Sequence, residues 1–185
     1  MEKDLPKRKP TRLKNFDYSS TGAYFVTICI QDRQQILSKI EKVLPADHMV
    51  GEGLAPPAEY LVTLKPCGEA VKEQLLALPH RFSNVSIENY IIMPDHIHAI
   101  IFIKNEAGGA SPSPTLNDII CAFKSLSSRI CKKQYGIEKT FQRSYAEHII
   151  RDRDDYETRK KYILENPMRW YYKERDAKEE KEPFR

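Results

Sequence analysis

Apolar positions along this chain fall into two rhythms, alternation and a repeat of about 3.6, and each marks a different element. Tyr24–Ile30 (YFVTICI) is dense in β-branched and aromatic residues and predicts a strand. Residues 39–60 carry Pro45, Gly51, Gly53, Pro56 and Pro57 and predict a surface excursion. From Cys67 to Leu78 the positions Ala70, Val71, Leu75, Leu76 and Leu78 suit an amphipathic helix that ends before Pro79. Val85–Met93 and His96–Ile103 predict two strands joined at Pro94-Asp95, a hairpin. Residues 105–114 (NEAGGASPSP) predict a flexible link. Leu116, Ile119, Ile120, Phe123, Leu126 and Ile130 then recur at the spacing of a helix of about 20 residues. A strand within 141–150 follows, and a last helix from Asp152 to Tyr172 opens on Asp152, Asp154 and Asp155, where the helix dipole favours acids.

That order predicts an α+β chain of ferredoxin-like type: an antiparallel sheet with helices mainly on one face, plus a C-terminal helix. The His96–Ile103 segment puts His96, His98, Ile100 and Phe102 on one face and Ile97, Ala99, Ile101 and Ile103 on the other. Apolar on both sides, it belongs at the centre of the sheet, with its two histidines on a face that must be covered or must bind something.

At 185 residues the chain has room for one domain with a real core. The 41% apolar and 30% charged fractions suit a globular protein. Cys29, Cys67, Cys121 and Cys131 show no C-x-x-C spacing, which excludes a zinc knuckle, and Cys29 reads as a small core residue. The lack of a long apolar span or leader pattern predicts a cytoplasmic protein. The net charge of +4 lies entirely in an N-terminal arm, residues 1–15. There Lys3, Lys7, Arg8, Lys9, Arg12 and Lys14 face only Glu2 and Asp4. Such an arm suits a polyanion or plain solvation. The same two readings hold for the polar face of the 116–135 helix, with Lys124, Arg129, Lys132 and Lys133, and for Arg143.

Residues two apart on a strand point the same way, so His96 and His98 make a pair of imidazoles suited to a divalent metal. The bland alternative is two partly buried histidines bonded to backbone. On the last helix Tyr156, Lys160, Ile163, Pro167 and Trp170 share a stripe that predicts its core face. Tyr162 and Asn166 lie one turn apart to the side of that stripe, and Pro167 predicts a distortion there that presents the Asn166 amide outward.

Tyr90-Ile-Ile-Met-Pro-Asp-His-Ile-His98, Tyr145-Ala-Glu-His-Ile-Ile-Arg151 and Tyr162-Ile-Leu-Glu-Asn-Pro167 occur in that order behind the YFVTICIQDR block. Together they resemble the single-tyrosine HUH transposases, above all the REP-associated tyrosine transposases, over residues 16–173. The resemblance implies that His96, His98 and Asn166 hold Mg²⁺ or Mn²⁺ and that Tyr162 is the nucleophile. It implies cleavage and rejoining of single-stranded DNA beside hairpins through a 5′-phosphotyrosine, by a monomer or homodimer. A phenol, with pKa about 10, needs activation for this, and a hard ion with open positions can orient a phosphate for in-line attack. Tyr145 and Tyr156 read as packing residues, His148 as structural, and Tyr171 and Tyr172 either stack unpaired bases or cap the core. Residues 174–185 read as a charged tail. Two other functions stay open: a hairpin-DNA-binding protein without turnover, and a hydrolase using the H-x-H pair, which would need a third histidine or a carboxylate.

Overall fold

The computed structural model describes residues 21–43, 59–104 and 114–179. The elements are β1 (Gly22–Cys29), a 3₁₀ turn (Gln31–Arg33), β2 (Ser38–Val43), β3 (Glu59–Leu64), α1 (Pro66–Leu76), α2 (Leu78–Arg81), β4 (Val85–Ile92), β5 (His96–Ile103), α3 (Leu116–Tyr135), β6 (Ala146–Ile150) and α4 (Arg153–Glu179). Four strands form an antiparallel sheet in the order β4-β5-β1-β6. With α1 and α3 as crossovers this is the expected ferredoxin-like topology, and β5 sits inside it as its two-sided apolarity requires.

The strand parity sorts the core. Tyr24, Val26, Ile28, Ile97, Ala99, Ile101 and Ile103 face α1 and α3, whose Val71, Leu75, Ile119, Ile120 and Phe123 complete the main core. Each fully buried aliphatic side chain there contributes about 1.5–3 kcal/mol. The opposite face carries Phe25, Thr27, His98 and Ile100, and α4 covers it through Ile163 in a separate, smaller cluster.

Local chemistry fixes the element ends. Thr115 and Asp118 form a reciprocal capping box at the start of α3, and Gly136, at φ 68°, ends it in the left-handed region. Asp152 caps α4, its Oδ1 accepting the Asp155 amide at 2.8 Å. Gly68 lets α1 approach the chain at Leu37, for a Cβ there would lie 1.9 Å from the Leu37 carbonyl oxygen. Cys67 on α1 and Cys131 on α3 meet in the core with their sulfurs 3.0 Å apart.

Three expectations change. The ends of the 39–60 excursion pair as a second, two-stranded sheet, β2 with β3, whose weak alternation of Lys39, Ile40, Glu41 and Lys42 hides it. The strand before α4 is only Ala146–Ile150; Phe141 makes a single bridge to Ile30. Finally, α4 runs unbroken through Pro167 to Glu179, past the expected end at Tyr172. Its docking on the sheet holds the backbone helical although Pro167 supplies no amide to Ile163.

Candidate active site

His96 and His98 lead β5 on the face that α4 covers, with ring centroids 4.6 Å apart. Both are buried, at 8% and 4% exposure. Asp95, at the hairpin turn, binds His96 Nδ1 through Oδ1 and takes Arg33 Nη1 at 3.4 Å through Oδ2. With Nδ1 engaged by Asp95, Nε2 is the nitrogen through which His96 could bind a ligand. Across the strand pair Thr27 Oγ1 lies 2.9 Å from His98 Nδ1, and Phe25 stacks on the His98 ring at 5.2 Å. His98 Nε2 is buried with no hydrogen-bond partner among the described residues. Burial, then the neighbouring His96 and Arg33, push the His98 pKa down from 6.5 to about 3, against Asp95 and a hydrogen bond to the Val26 backbone. The ring is therefore neutral at working pH, with its donor side turned to Val26 and Thr27 and a lone pair left on Nε2.

The other half of the site is α4. The Tyr162 ring meets His98 edge-on at 5.2 Å and Phe25 at 5.9 Å, and Trp170 lies 5.9 Å from His96. Asn166 falls midway between Tyr162 and Trp170 at four-residue spacing, so one column of α4 lies along the two histidines. Tyr162 is 37% exposed and carries the Arg169 guanidinium over its ring at 5.7 Å, while Arg169 also pairs with Glu165 at 2.9 Å. Asn166 is not turned outward as the helical stripe suggested: it is 6% exposed. Lying about 60° from Ile163 around the helix, it shares the buried face.

This donor set suits a divalent ion. A neutral imidazole with an orphaned nitrogen, a second imidazole oriented by a carboxylate, and a buried amide are donors that a divalent metal accepts. Among the described residues no group of three His, Cys, Asp or Glu is arranged to hold a metal.

The remaining sequence-derived candidates scatter. Tyr156 is tied by its hydroxyl to Glu88 and Asn89, at 2.8 and 2.9 Å, and Tyr145 packs against the main core. His148 pairs with Asp155 at 2.7 Å and lies 3.3 Å from Arg159, whose guanidinium covers Phe25. Lys124 is half-buried and gives its ammonium to the carbonyls of Gln142, Arg143 and Ser144. Lys132 pairs with Glu138 at 2.7 Å; Arg129 and Lys133 stand on the same helix, and Arg143 lies beside α3. Tyr171 and Tyr172 pack on Tyr60 of β3, at 5.5 and 6.1 Å. Arg12 and Lys14 lie outside the described residues.

Several site residues escaped the sequence reading: Phe25, Thr27, Arg33, Asp95 and Trp170. Phe25 and Thr27 were recoverable from parity, since they share a face of β1, and the same parity corrects Cys29. That residue is partly exposed and is the register partner of His96, not a core residue. Asp32 and Arg33, at φ 53° and 54°, are consecutive non-glycine residues in the left-handed region, which no composition signal announces.

Comparison with known proteins places this geometry. The family model described as "Transposase IS200 like" matches residues 62–166, more than half the chain. A protein of Haemophilus influenzae is 29% identical over 178 residues, covering 88% of this chain and 89% of its own. In fold the chain is similar to a REP-associated tyrosine transposase solved bound to a REP hairpin, with TM-score 0.54 and 17% identity. That alignment covers 85% of this chain and 73% of the other. From its sequence match and its architecture together, this chain belongs to the IS200-like transposase family.

Proposed function

We propose that this transposase cuts and rejoins single-stranded DNA beside hairpins, with Tyr162 as nucleophile and His96, His98 and Asn166 as holders of a divalent ion. The observation that carries the reading is the contact of the Tyr162 ring with His98, whose buried Nε2 lacks any partner among the described residues. No structural duty explains both an orphaned imidazole nitrogen and a half-exposed tyrosine on top of it.

In the proposed step the Tyr162 hydroxyl gives its proton to solvent and its oxygen attacks phosphorus in line with the 3′ oxygen. The bond from phosphorus to that 3′ oxygen breaks and the oxygen takes up a proton. The products are a 5′-phosphotyrosine and a free 3′-OH, and a second 3′-OH reverses the step to join a new pair of ends. A bound divalent ion would supply Lewis-acid stabilisation of the phosphate's developing charge. Asp95 and Thr27 keep the two imidazoles in one orientation. Phe25 and Arg169 hold the Tyr162 ring from two sides, which reduces the rotamer freedom the phenol must give up before attack. The bond energy is kept in the phosphotyrosine, so no nucleotide triphosphate is required. Hairpin DNA as partner rests on the structural relative, which was solved with one.

The test is incubation with a single-stranded hairpin oligonucleotide, with Mg²⁺, with Mn²⁺ and with chelator, followed by denaturing electrophoresis. A covalent adduct that needs metal and disappears in Tyr162→Phe is the expected result. Cleavage that persists in Tyr162→Phe without an adduct would sink the tyrosine mechanism.

A further inference from the structure

Two nucleophilic side chains lie outside the site above and take no part in its chemistry: Cys67, in the first turn of α1, and Cys131, near the end of α3. They are 64 positions apart in the chain, yet their sulfurs are 3.0 Å apart, only about 1 Å more than a disulfide bond. The hydrogen bond between them lowers the pKa of Cys131, against burial, and raises that of Cys67. One sulfur of the pair thus gives up its proton more readily than a thiol packed alone in a core, and the thiolate is the form that reacts with oxidants. Cys131 is wholly buried, whereas Cys67 keeps 5% of its surface open to solvent.

The backbone on either side of this pair grips a single loop, residues 30–37. On the α1 side, Lys65 N donates to the Leu37 carbonyl at 2.9 Å, and Gly68 is packed against that same carbonyl. On the α3 side, Ile137 N is bonded to the Cys131 carbonyl at 3.2 Å. Three residues further on, the Thr140 carbonyl accepts the Gln31 amide at 2.9 Å. The gripped loop in turn holds the hairpin turn in front of His96. Ile30 N donates to the Asp95 carbonyl at 2.9 Å and Leu37 N to the Pro94 carbonyl at 3.1 Å. A covalent bond from Cys67 to Cys131 would therefore close a ring behind the turn that carries Asp95.

We propose that Cys67 and Cys131 are a site of reversible disulfide formation, a clasp that hydrogen peroxide closes and a small dithiol reopens. The strand-transfer reading plays no part in it. The thiolate of the pair attacks one peroxide oxygen, the O–O bond breaks, and the departing hydroxide takes up a proton as water. The sulfenic acid so formed is attacked by the second sulfur. Its S–O bond breaks, a second water leaves with the remaining thiol proton, and the S–S bond forms. Two thiols have then lost two electrons and two protons, and one peroxide has become two waters. Hydrogen peroxide is hardly larger than water, which suits a pair that meets solvent only at Cys67. Reopening is thiol–disulfide exchange, in which the dithiol is oxidised to its own disulfide as the pair is reduced.

The experiment treats the full chain, folded, with rising doses of hydrogen peroxide and then blocks the free thiols with N-ethylmaleimide in denaturant. Peptide mass spectrometry is expected to find Cys67 joined to Cys131, two hydrogens lighter than the separate peptides and split again by dithiothreitol. The oxidised chain is expected to unfold at a urea midpoint higher by about 1 M, because the bond closes a long loop in the unfolded state. In hydrogen exchange the amides of Ile30, Gln31, Leu37 and Lys65 are expected to slow by about tenfold or more on oxidation. Cys121→Ser, at an exposed position, keeps all three responses, and Cys67→Ser loses them. The wild-type results stand by themselves if Cys67→Ser does not fold. Recovery of Cys67 and Cys131 as maleimide adducts after peroxide, or linkage of either to Cys29 or Cys121 instead, overturns the site. A Cys67–Cys131 bond that leaves the four amides exchanging as before overturns the clasp.

Discussion

A histidine held neutral inside a fold leaves a mark on stability against pH. His98 has its pKa pushed from 6.5 to about 3 by burial first and by His96 and Arg33 after it, so the unfolded chain binds the proton more readily than the native one. In the metal-free protein the His98 contribution is therefore flat above pH 6.5 and falls as pH drops through the window from 6.5 towards 3. The loss is up to about 1.4 kcal/mol per pH unit, reaching about 2 kcal/mol by pH 5. Urea denaturation at pH 7.5 and pH 5, wild type against His98→Gln, checks it: the variant loses the smaller amount on acidification. Thr27→Val tests the same ring from its other side. With Thr27 Oγ1 gone from its place 2.9 Å from Nδ1, affinity for Mn²⁺ by titration calorimetry is expected to fall about 10–100-fold with little change in melting temperature. The histidine pair was legible in sequence because parity on a strand is rigid. Its partners were not: Thr27 and Asp95 are ordinary residues until pairing brings them to the rings.

At the level of elements, α4 and α1 each depend on one small residue or cap. Asp152→Ala removes the acceptor of the Asp155 amide and is expected to cost about 1 kcal/mol in chemical denaturation. Gly68→Ala drives a methyl group against the Leu37 carbonyl, a backbone atom that cannot swing aside. It is expected at the upper end of the about 1–3 kcal/mol typical of overpacking, read as a lowered urea midpoint. The long helices and the β4–β5 hairpin were plain from periodicity. The β2–β3 pair was not, because its strands hold charged residues on both sides and are separated by a proline- and glycine-rich stretch. Asn166 was misread for a related reason. A stripe drawn from apolar residues alone leaves out a buried amide, although Asn166 stands only about 60° from Ile163.

Across the whole molecule, charge and core are both unevenly shared. The net +4 sits in residues 1–15, so removing them is expected to flatten the salt dependence of single-strand binding, by about 0.7 in slope for each phosphate the arm had neutralised. Binding measured from 50 to 300 mM KCl decides it, and an unchanged slope would mean that the arm touches no phosphate. The core is lopsided in the same way. Most buried apolar residues lie between the sheet and α1 and α3, while α4 rests on Phe25, Ile100 and Ile163 with a few partly buried neighbours. Two clusters separated by a sheet need not melt together. In native-state hydrogen exchange the amides of α4 are expected to lose protection through a low-energy opening that denaturant barely affects, while β5 and α3 exchange only with global unfolding. The helix that carries Tyr162 and Asn166 would then be a foldon of its own, one that can lift from the histidines and settle again while the rest of the fold stays shut.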